Sequence, residues 1–240
     1  MRALIVSDIH GNIDALTALD AWMAREAPFD AVWVLGDLVD YGAAPADVIA
    51  WVRTHATAVV RGNHDHAVAF DTDCGSSPQF LPLSVATRRY FRARLDPADL
   101  EYLGGLPLRA EMNGPHGGRT VLVHATPADP LLGYLAADAP EDAWQSALRA
   151  AQPAAFVLLG HTHVPCARRI GATTVINPGS LGFPTDGEAS AAFAVLDDGG
   201  AQLRRVPYDT ASAAARVEAL PIDAACRTRI AEVLRRGRVT

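Results

Sequence analysis

The chain contains no lysine, because all 21 of its basic residues are arginine. This absence excludes mechanisms that need a P-loop lysine or a lysine Schiff base. Cysteine is also scarce, since the three cysteines lie far apart and form no CxxC pair. We therefore expect reduced thiols and no thiolate zinc framework.

Long hydrophobic runs and a positive net charge are absent as well. No apolar stretch approaches the roughly eighteen residues that a membrane helix needs, and the first residues lead into a strand rather than a signal-peptide pattern. The formal net charge of −6 disfavours strong nucleic-acid binding. These features predict a cytoplasmic protein without a membrane segment.

Five short apolar runs each end in residues that can bind metal ions. An uninterrupted apolar run of this kind predicts a strand that is buried on both faces. The runs cover residues 3–6, 31–35, 56–60, 120–123 and 154–159. The polar residues that follow them are Asp8, His10, Asp37, Asp40, Asn63, His64, His124, His161 and His163. Because ligands of open α/β sheets lie beyond the carboxyl ends of strands, we expect these side chains to meet at one rim of one sheet.

Strands and helices alternate over the first 65 residues, which predicts parallel βαβ units. Asn12 is placed to cap a helix that runs to about Glu26, and a second helix is expected from Pro45 to before Thr57. We then expect antiparallel strands and one or two closing helices that end near Gly237. The strands are predicted at 164–169, 172–176, 191–197 and 201–206. Without a linker or repeat, a single domain over residues 1–240 is favoured.

Residues 66–118 interrupt this alternation. We expect a loop at 75–78, a helix over 84–94, a short helix from Asp96 onward and a hairpin turn near 114–118. The stretch carries no ligand-type motif. We interpret it as an insertion that shapes a substrate pocket, and surface elaboration without a functional role is the alternative.

Imidazole, carboxylate and amide groups together suit Mn, Fe, Zn, Co or Ni. The candidate set is large enough for two divalent ions and too large for one. Each motif alone has a structural explanation, since Asp8 could end a turn and the Gly-His-Thr-His segment could hold solvated imidazoles. The occurrence of five motifs at successive strand ends favours a metal site.

The motif series closely resembles that of the calcineurin-like metallophosphoesterases. It consists of Asp8-x-His10, Gly36-Asp37-x-x-Asp40, Gly62-Asn63-His64-Asp65, His124 and Gly160-His161-x-His163. Asn177-Pro178-Gly179-Ser180 also resembles a motif of small bacterial members. The resemblance implies two mixed β-sheets packed as a sandwich and flanked by helices.

The resemblance also implies two divalent metal ions, with manganese favoured, and a role for each ligand. The first ion would be held by Asp8, His10 and His163. The second would be held by Asn63, His124 and His161. Asp37 would bridge the two ions, and a hydroxide that bridges the same ions would attack phosphorus.

By the same resemblance, His64 is the general acid and Asp40 orients it. Asn12, Asn63 and His64 are candidate contacts to the substrate. The implied activity is that of a hydrolase acting on a small phosphorylated molecule. A phosphodiester, a dinucleoside polyphosphate such as diadenosine tetraphosphate, another nucleotide or a phosphomonoester would fit.

Two alternatives stand beside this interpretation. Serine/threonine protein phosphatases carry an arginine after the second aspartate of the Gly-Asp motif, where this chain has Tyr41, and a glutamate where it has Asp65. Both differences disfavour that activity. A non-catalytic scaffold of the same fold is the other alternative, which the complete set of ligand positions disfavours.

Overall fold

A computed structural model describes residues 1–238, and in this part of the chain ten strands form two five-stranded sheets. The first sheet contains β1 (Ala3–Val6), β2 (Ala31–Val34), β3 (Ala58–Val59), β9 (Ala191–Asp197) and β10 (Gly200–Val206), in the order β10-β9-β1-β2-β3. The second contains β4 (Arg109–Asn113), β5 (Arg119–Val123), β6 (Phe156–Leu158), β7 (Cys166–Ile170) and β8 (Thr173–Asn177), in the order β4-β5-β6-β8-β7.

The α-helices surround the two sheets. They are α1 (Ile13–Met23), α2 (Pro45–His55), α3 (Asn63–Phe70), α4 (Leu81–Arg92), α5 (Pro97–Gly105), α6 (Glu141–Leu148), α7 (Thr210–Glu218) and α8 (Ala224–Arg236). Short 3₁₀ turns lie at Pro115–Gly117 and Arg149–Ala151. Among the helices of residues 1–238, none combines the length and apolar character needed to cross a bilayer.

Both sheets are mixed, which confirms the predicted fold class. In the first sheet β1, β2 and β3 run parallel, whereas β9 pairs antiparallel with both β1 and β10. In the second sheet β5, β6 and β8 run parallel, and β4 and β7 add antiparallel edges. The first βαβαβ segment therefore forms as the alternation of strands and helices predicts.

Each central strand is buried on both faces, and this explains the uninterrupted apolar runs. Alternate residues of a strand point to opposite faces. Ile5 and Trp33 consequently pack against Leu158 in the core between the sheets. The intervening residues Leu4 and Val34 pack in a separate core with helices α1 and α2.

The expectation that all five runs end at one rim of one sheet is wrong. The first three runs belong to the first sheet, and the runs before His124 and His161 belong to the second. Apolar character reveals that a strand is buried, but it does not specify the edge with which the strand pairs. The site therefore lies where the carboxyl ends of parallel strands from two sheets meet.

Several element boundaries also differ from the expectation. Helix α1 ends at Met23 rather than Glu26, because the N–H groups of Arg25 and Glu26 form i→i−3 bonds and Pro28 follows closely. Helix α4 starts at Leu81, three residues before the predicted start. The segment after Gly62, for which no helix was predicted, opens helix α3.

The packing between the sheets generates a stability prediction. Leu158→Ala removes a side chain with 0% exposure from the core between the sheets, and we expect it to lower the free energy of unfolding by about 2–5 kcal/mol. Leu203→Ala makes the same change at a side chain with 39% exposure on β10, where the loss should stay within about 0.5 kcal/mol. Urea denaturation measures both, and equal losses would contradict this description of the core.

Candidate metal centre

The seven predicted ligands come together at the ends of five strands. Asp8 and His10 follow β1, Asp37 follows β2, and Asn63 follows β3 as the first residue of α3. In the second sheet, His124 follows β5, whereas His161 and His163 follow β6. All are buried except His161 and His163, which are partly exposed. This arrangement gives the cluster an opening on the His161 and His163 side.

Three of these side chains form a first group. His163 Nε2 lies 3.3 Å from Asp8 Oδ1 and 3.3 Å from His10 Nε2. His10 Nε2 lies 4.0 Å from Asp8 Oδ1. One ligand atom from each residue therefore faces a common point.

Three further side chains form a second group, and Asp37 lies between the two. Asn63 Oδ1 is 2.9 Å from His124 Nε2 and 3.2 Å from His161 Nδ1. The Asn63 amide is oriented by its Nδ2, which donates to the carbonyl of Cys74 at 2.7 Å. Asp37 Oδ2 is 3.3 Å from His124 Nε2 and 3.7 Å from His10 Nε2.

Backbone carbonyls fix three of the imidazole rings. His10 Nδ1 faces the carbonyl of Val39 at 2.8 Å, and His124 Nδ1 faces that of Leu35 at 2.7 Å. His163 Nδ1 faces the carbonyl of Phe183 at 2.6 Å. Because each Nδ1 faces a carbonyl, each ring turns its Nε2 into the cluster, which is the orientation in which a neutral imidazole ligates a metal ion.

The donor set fits divalent cations. Asp8 is fully buried, and its Oδ1 has no hydrogen-bond partner. His163 Nε2 lies 3.3 Å from this oxygen. A buried carboxylate oxygen without a hydrogen-bond partner is stabilised by a cation beside it. The nitrogen and oxygen donors, without thiolate, suit Mn, Fe, Zn, Co or Ni.

Burial and neighbouring charges set the protonation of the cluster. Burial lowers the pKa of His10 to about 3 and that of His161 to about 4, so both rings are neutral, as ligands must be. Burial opposes ionisation of Asp37, yet the charges of His124 and His64 hold its pKa well below the usual value. Despite burial, Asp37 raises the pKa of His124 to about 9. A cation between these two groups would compete with that proton for Nε2.

His64 and Asp40 form a buried pair beside the cluster. His64 Nδ1 donates to Asp40 Oδ2 at 2.8 Å, and the exposed fractions of the two residues are 5% and 1%. Burial lowers the pKa of His64, but Asp37 and Asp40 outweigh it and raise the pKa to about 10. The ring is therefore an imidazolium at neutral pH, and its Nε2 lies 3.5 Å from the hydroxyl of Tyr41.

Helix α4 supports this pair from behind, and the sequence motifs did not reveal it. The Thr87 hydroxyl accepts from the backbone N–H of Tyr41 at 3.2 Å and lies 3.5 Å from Asp40 Oδ1. Burial raises the pKa of Asp40, whereas the charges of His64 and Arg88 oppose the rise. Arg88 lies four residues after Ser84 and three before Phe91, all three being buried. An arginine spaced with the buried residues of a helix is the sequence signal that could have identified Arg88.

Two side chains that are not ligands hold the loops together. Asp65 accepts from the backbone N–H groups of Asp37, Leu38 and Gly62 at 2.8, 2.8 and 3.0 Å, which ties the loop after β2 to the start of α3. Asn177 Nδ2 donates to the carbonyl of Gly160 at 2.8 Å and thereby braces the loop of the last two histidines. This contact gives the Asn-Pro-Gly-Ser motif a structural role.

The backbone of the site is unusual. Left-handed φ angles are uncommon outside glycine, and such residues concentrate at functional sites. In this site they occur at Asp8, His10, Asp37, Asp40, Tyr41, His161 and His163. The sharp turns allow residues close in sequence to direct their side chains towards the same point.

Asn12, a predicted contact to the substrate, has other partners. Its Oδ1 accepts from the N–H of Ala15 at 3.1 Å, which confirms the predicted cap of α1. Its Nδ2 donates to the carbonyl of Gly182 at 2.8 Å. Both ends of this buried amide are thus engaged within the protein, and the contact of Asn12 with the substrate stays a prediction.

Cation binding should stabilise the folded protein, because it separates buried lone pairs and buried carboxylates that repel one another. With Mn²⁺ at about 100 times its dissociation constant, we expect a rise in Tm of roughly 5–10 °C over the chelator-treated protein. Thermal unfolding with and without Mn²⁺, after metal analysis has verified its removal, measures the rise.

Asp37→Asn should greatly reduce this rise, since the side chain between the two groups loses its charge. Asp198→Asn, an exposed turn residue, is the matched control and should respond to Mn²⁺ as the wild type does. Identical melting temperatures for loaded and metal-free wild type would contradict the assignment of this cluster as a cation site.

Comparison with known proteins agrees with the fold. A family model for the calcineurin-like phosphoesterase superfamily domain matches residues 1–199. The crystal structure of a metallophosphoesterase from Sphaerobacter thermophilus superposes with a TM-score of 0.80 at 27% identity, covering 97% of this chain and 99% of that one. An uncharacterized protein from Methanocaldococcus jannaschii is 26% identical over 223 residues, which are 85% of this chain and 87% of that protein.

A local similarity adds a relative with a named activity. A symmetrical bis(5'-nucleosyl)-tetraphosphatase from Yersinia enterocolitica is 42% identical over 67 residues, which are 27% of this chain and 23% of that protein. The family match, by contrast, extends over most of the chain and includes each of the five strand-end motifs. On this evidence, the chain belongs to the calcineurin-like phosphoesterase superfamily.

Proposed function

We propose that this protein hydrolyses a small phosphorylated substrate with the help of two divalent cations, manganese being favoured. The observation that carries the proposal is the convergence of Asp8 Oδ1, which has no hydrogen-bond partner, with His10 Nε2 and His163 Nε2, beside the buried His64–Asp40 pair. When bound, the cations supply Lewis acidity and an activated water. The side chains of the protein would hold the cations and deliver the proton.

In this proposal each group of ligand atoms would hold one cation. Asp8, His10 and His163 would hold the first. Asn63, His124 and His161 would hold the second, and Asp37 would be shared by both. The position of Asp37 Oδ2, 3.7 Å from His10 Nε2 and 3.3 Å from His124 Nε2, supports the shared role.

His64 delivers a proton to the oxygen that leaves phosphorus. Asp40 holds the ring through Nδ1, so the remaining ring proton is on Nε2. The Tyr41 hydroxyl lies 3.5 Å from Nε2. The leaving oxygen would have to lie beside this hydroxyl, within reach of Nε2, and Asp40 would keep the ring oriented during the transfer.

A nucleotide is the substrate class that the comparisons favour. The stretch of 42% identity to a symmetrical bis(5'-nucleosyl)-tetraphosphatase supports it, although that stretch spans only 23% of the relative. Other phosphodiesters and phosphomonoesters remain candidates. We also propose that residues 1–240 form one domain, in which 66–118 shapes access to the site. The contacts of α4 with Asp40 and Tyr41 support a role for that segment.

A serine/threonine protein phosphatase remains the alternative, and Tyr41 disfavours it. This ring is 3% exposed and stacks on Phe183 with 4.3 Å between centroids. It therefore offers no guanidinium group to a phosphate at the position where protein phosphatases carry one. A non-catalytic scaffold does not explain why Asp8 Oδ1 is buried without a hydrogen-bond partner beside converging imidazoles.

The activity is tested by hydrolysis of bis-p-nitrophenyl phosphate with Mn²⁺. We expect the wild type to be active and Asp37→Asn to lower kcat/KM at least about a hundredfold, since the carboxylate shared by both cations is lost. His55→Ala, in the last turn of α2, is a control that should keep full activity. Inactivity of the wild type with each of Mn, Fe, Zn, Co and Ni would favour the scaffold.

The role of His64 is tested by the leaving group. For an alkyl phosphodiester, His64→Ala should lower kcat about 10²–10⁴-fold, because an alkoxide needs a proton in order to leave. For bis-p-nitrophenyl phosphate the loss should be much smaller, since p-nitrophenolate leaves without protonation. Asp40→Asn should also lower kcat more for the alkyl phosphodiester than for bis-p-nitrophenyl phosphate, and both losses should be smaller than those of His64→Ala. Equal losses on both substrates would exclude His64 as the proton donor.

A further inference from the structure

The segment after β5 presents two exposed apolar side chains. Among residues 1–238, the large hydrophobic residues that are exposed are Met1, Phe70, Leu132, Tyr134 and Leu203. Tyr134 is the most exposed of these at 68%, and Leu132 is 51% exposed. They lie two positions apart, ten or fewer residues after the candidate ligand His124.

The loop that carries these side chains is built by its own hydrogen bonds. The N–H of Ala125 donates to the carbonyl of Pro130 at 3.0 Å, and the N–H of Gly133 donates to that of Asp129 at 3.2 Å. Asp129 Oδ1 accepts from the N–H of Leu132 at 3.1 Å. A loop of fixed conformation lowers the entropy that binding would otherwise lose.

The chain is anchored again directly after the exposed tyrosine. Leu135 packs against the core that contains Trp144 and Leu148 of α6. Tyr134 is thus held between a hydrogen-bonded loop and a packed leucine, while its own ring faces solvent.

Tyr134 stands at the open side of the candidate metal centre. Its ring centroid is 6.0 Å from that of His161, with an interplanar angle of 69°. His161 is partly exposed, and its Nδ1 reaches the cluster at Asn63 Oδ1, 3.2 Å away. A phosphoryl group at the cluster would therefore have Tyr134 within the reach of its organic substituent.

Tyr134 and Leu132 form one wall beside this opening, and Leu132 extends it towards the loop that contains Gly75. It lies against Gly75, where an added Cβ would come within 2.8 Å of Leu132 Cδ2. Next to Gly75, the carbonyl of Cys74 accepts from Asn63 Nδ2 at 2.7 Å. The wall thus joins two loops that both contact candidate ligands.

We propose that Tyr134, with Leu132 beside it, receives the nucleobase of the substrate and so determines specificity for nucleotides. This inference rests on the proposed function, because it requires that the phosphate bind at the metal centre. A tyrosine ring offers a flat face of the size of a base, and stacking on it tolerates different bases. Two side chains are too small a surface for a stable protein interface.

The test measures binding instead of turnover. The ligands are the phosphonate analogues of AMP and of ribose 5-phosphate, in which carbon replaces the ester oxygen and prevents hydrolysis. Calorimetry gives Kd for each with the Mn²⁺-loaded wild type, Tyr134→Ala, Tyr134→Phe and Leu203→Ala. The two ligands differ only in the base, so the ratio of their Kd values isolates its contribution.

We expect the wild type to bind the AMP analogue more tightly than the ribose analogue. Tyr134→Ala should weaken the AMP analogue about tenfold and the ribose analogue less than about twofold. Tyr134→Phe should retain wild-type binding because it retains the ring, and Leu203→Ala should bind as the wild type does.

Three results would overturn the inference, and they distinguish its failure from that of the proposed function. If the wild type binds both analogues equally, or if Tyr134→Ala weakens both equally, the base does not bind at Tyr134, while binding of the ribose analogue still supports a phosphate site. If the Mn²⁺-loaded protein binds neither analogue, the proposed function fails and the inference fails with it.

Discussion

The whole site depends on one physical constraint, the burial of several candidate ligand atoms at a single place. Asp8 Oδ1 lacks a hydrogen-bond partner and lies beside His163, while Asp37 faces His10 and His124. A buried carboxylate oxygen without a partner costs free energy unless a cation satisfies it. A protein that keeps such an arrangement in its interior is organised around cation binding, and the other features of the site can be understood from this requirement.

The fold meets the requirement with rigid backbone rather than with side-chain contacts among the ligands. Carbonyls of Val39, Leu35 and Phe183 hold three imidazoles through Nδ1, and left-handed turns follow the strands at Asp8 and Asp37. These elements are fixed by two packed sheets, so backbone hydrogen bonds and packing hold the ligand atoms close together. A site held in place in this way loses less entropy when a cation binds.

The sequence predicts the chemistry of the site better than its architecture. The apolar runs identify the buried strands, and Asp8, His10 and His161 follow these runs directly, so local sequence was sufficient to find them. The division of the runs between two sheets depends on pairing between β1 and β9, which lie more than 180 residues apart. Thr87 and Arg88 were missed for a related reason, since only tertiary packing brings α4 behind Asp40. Asn12 is the opposite case, because its role as a helix cap depends only on neighbouring residues and was predicted from the sequence.

Asp37 couples the two halves of the proposed machinery. Its Oδ2 faces His10 and His124 in the ligand cluster, whereas its Oδ1 accepts from the backbone N–H of His64 at 2.9 Å. The same backbone segment carries Asn63, so one carboxylate positions a candidate ligand and the proposed proton donor together. Asp65 strengthens the link, because it binds the N–H groups of both Asp37 and Gly62. Hydrogen bonds through Asp37 and Asp65 thereby set the distance between the cluster and His64, and in the proposed mechanism this would keep proton delivery aligned with the phosphoryl group.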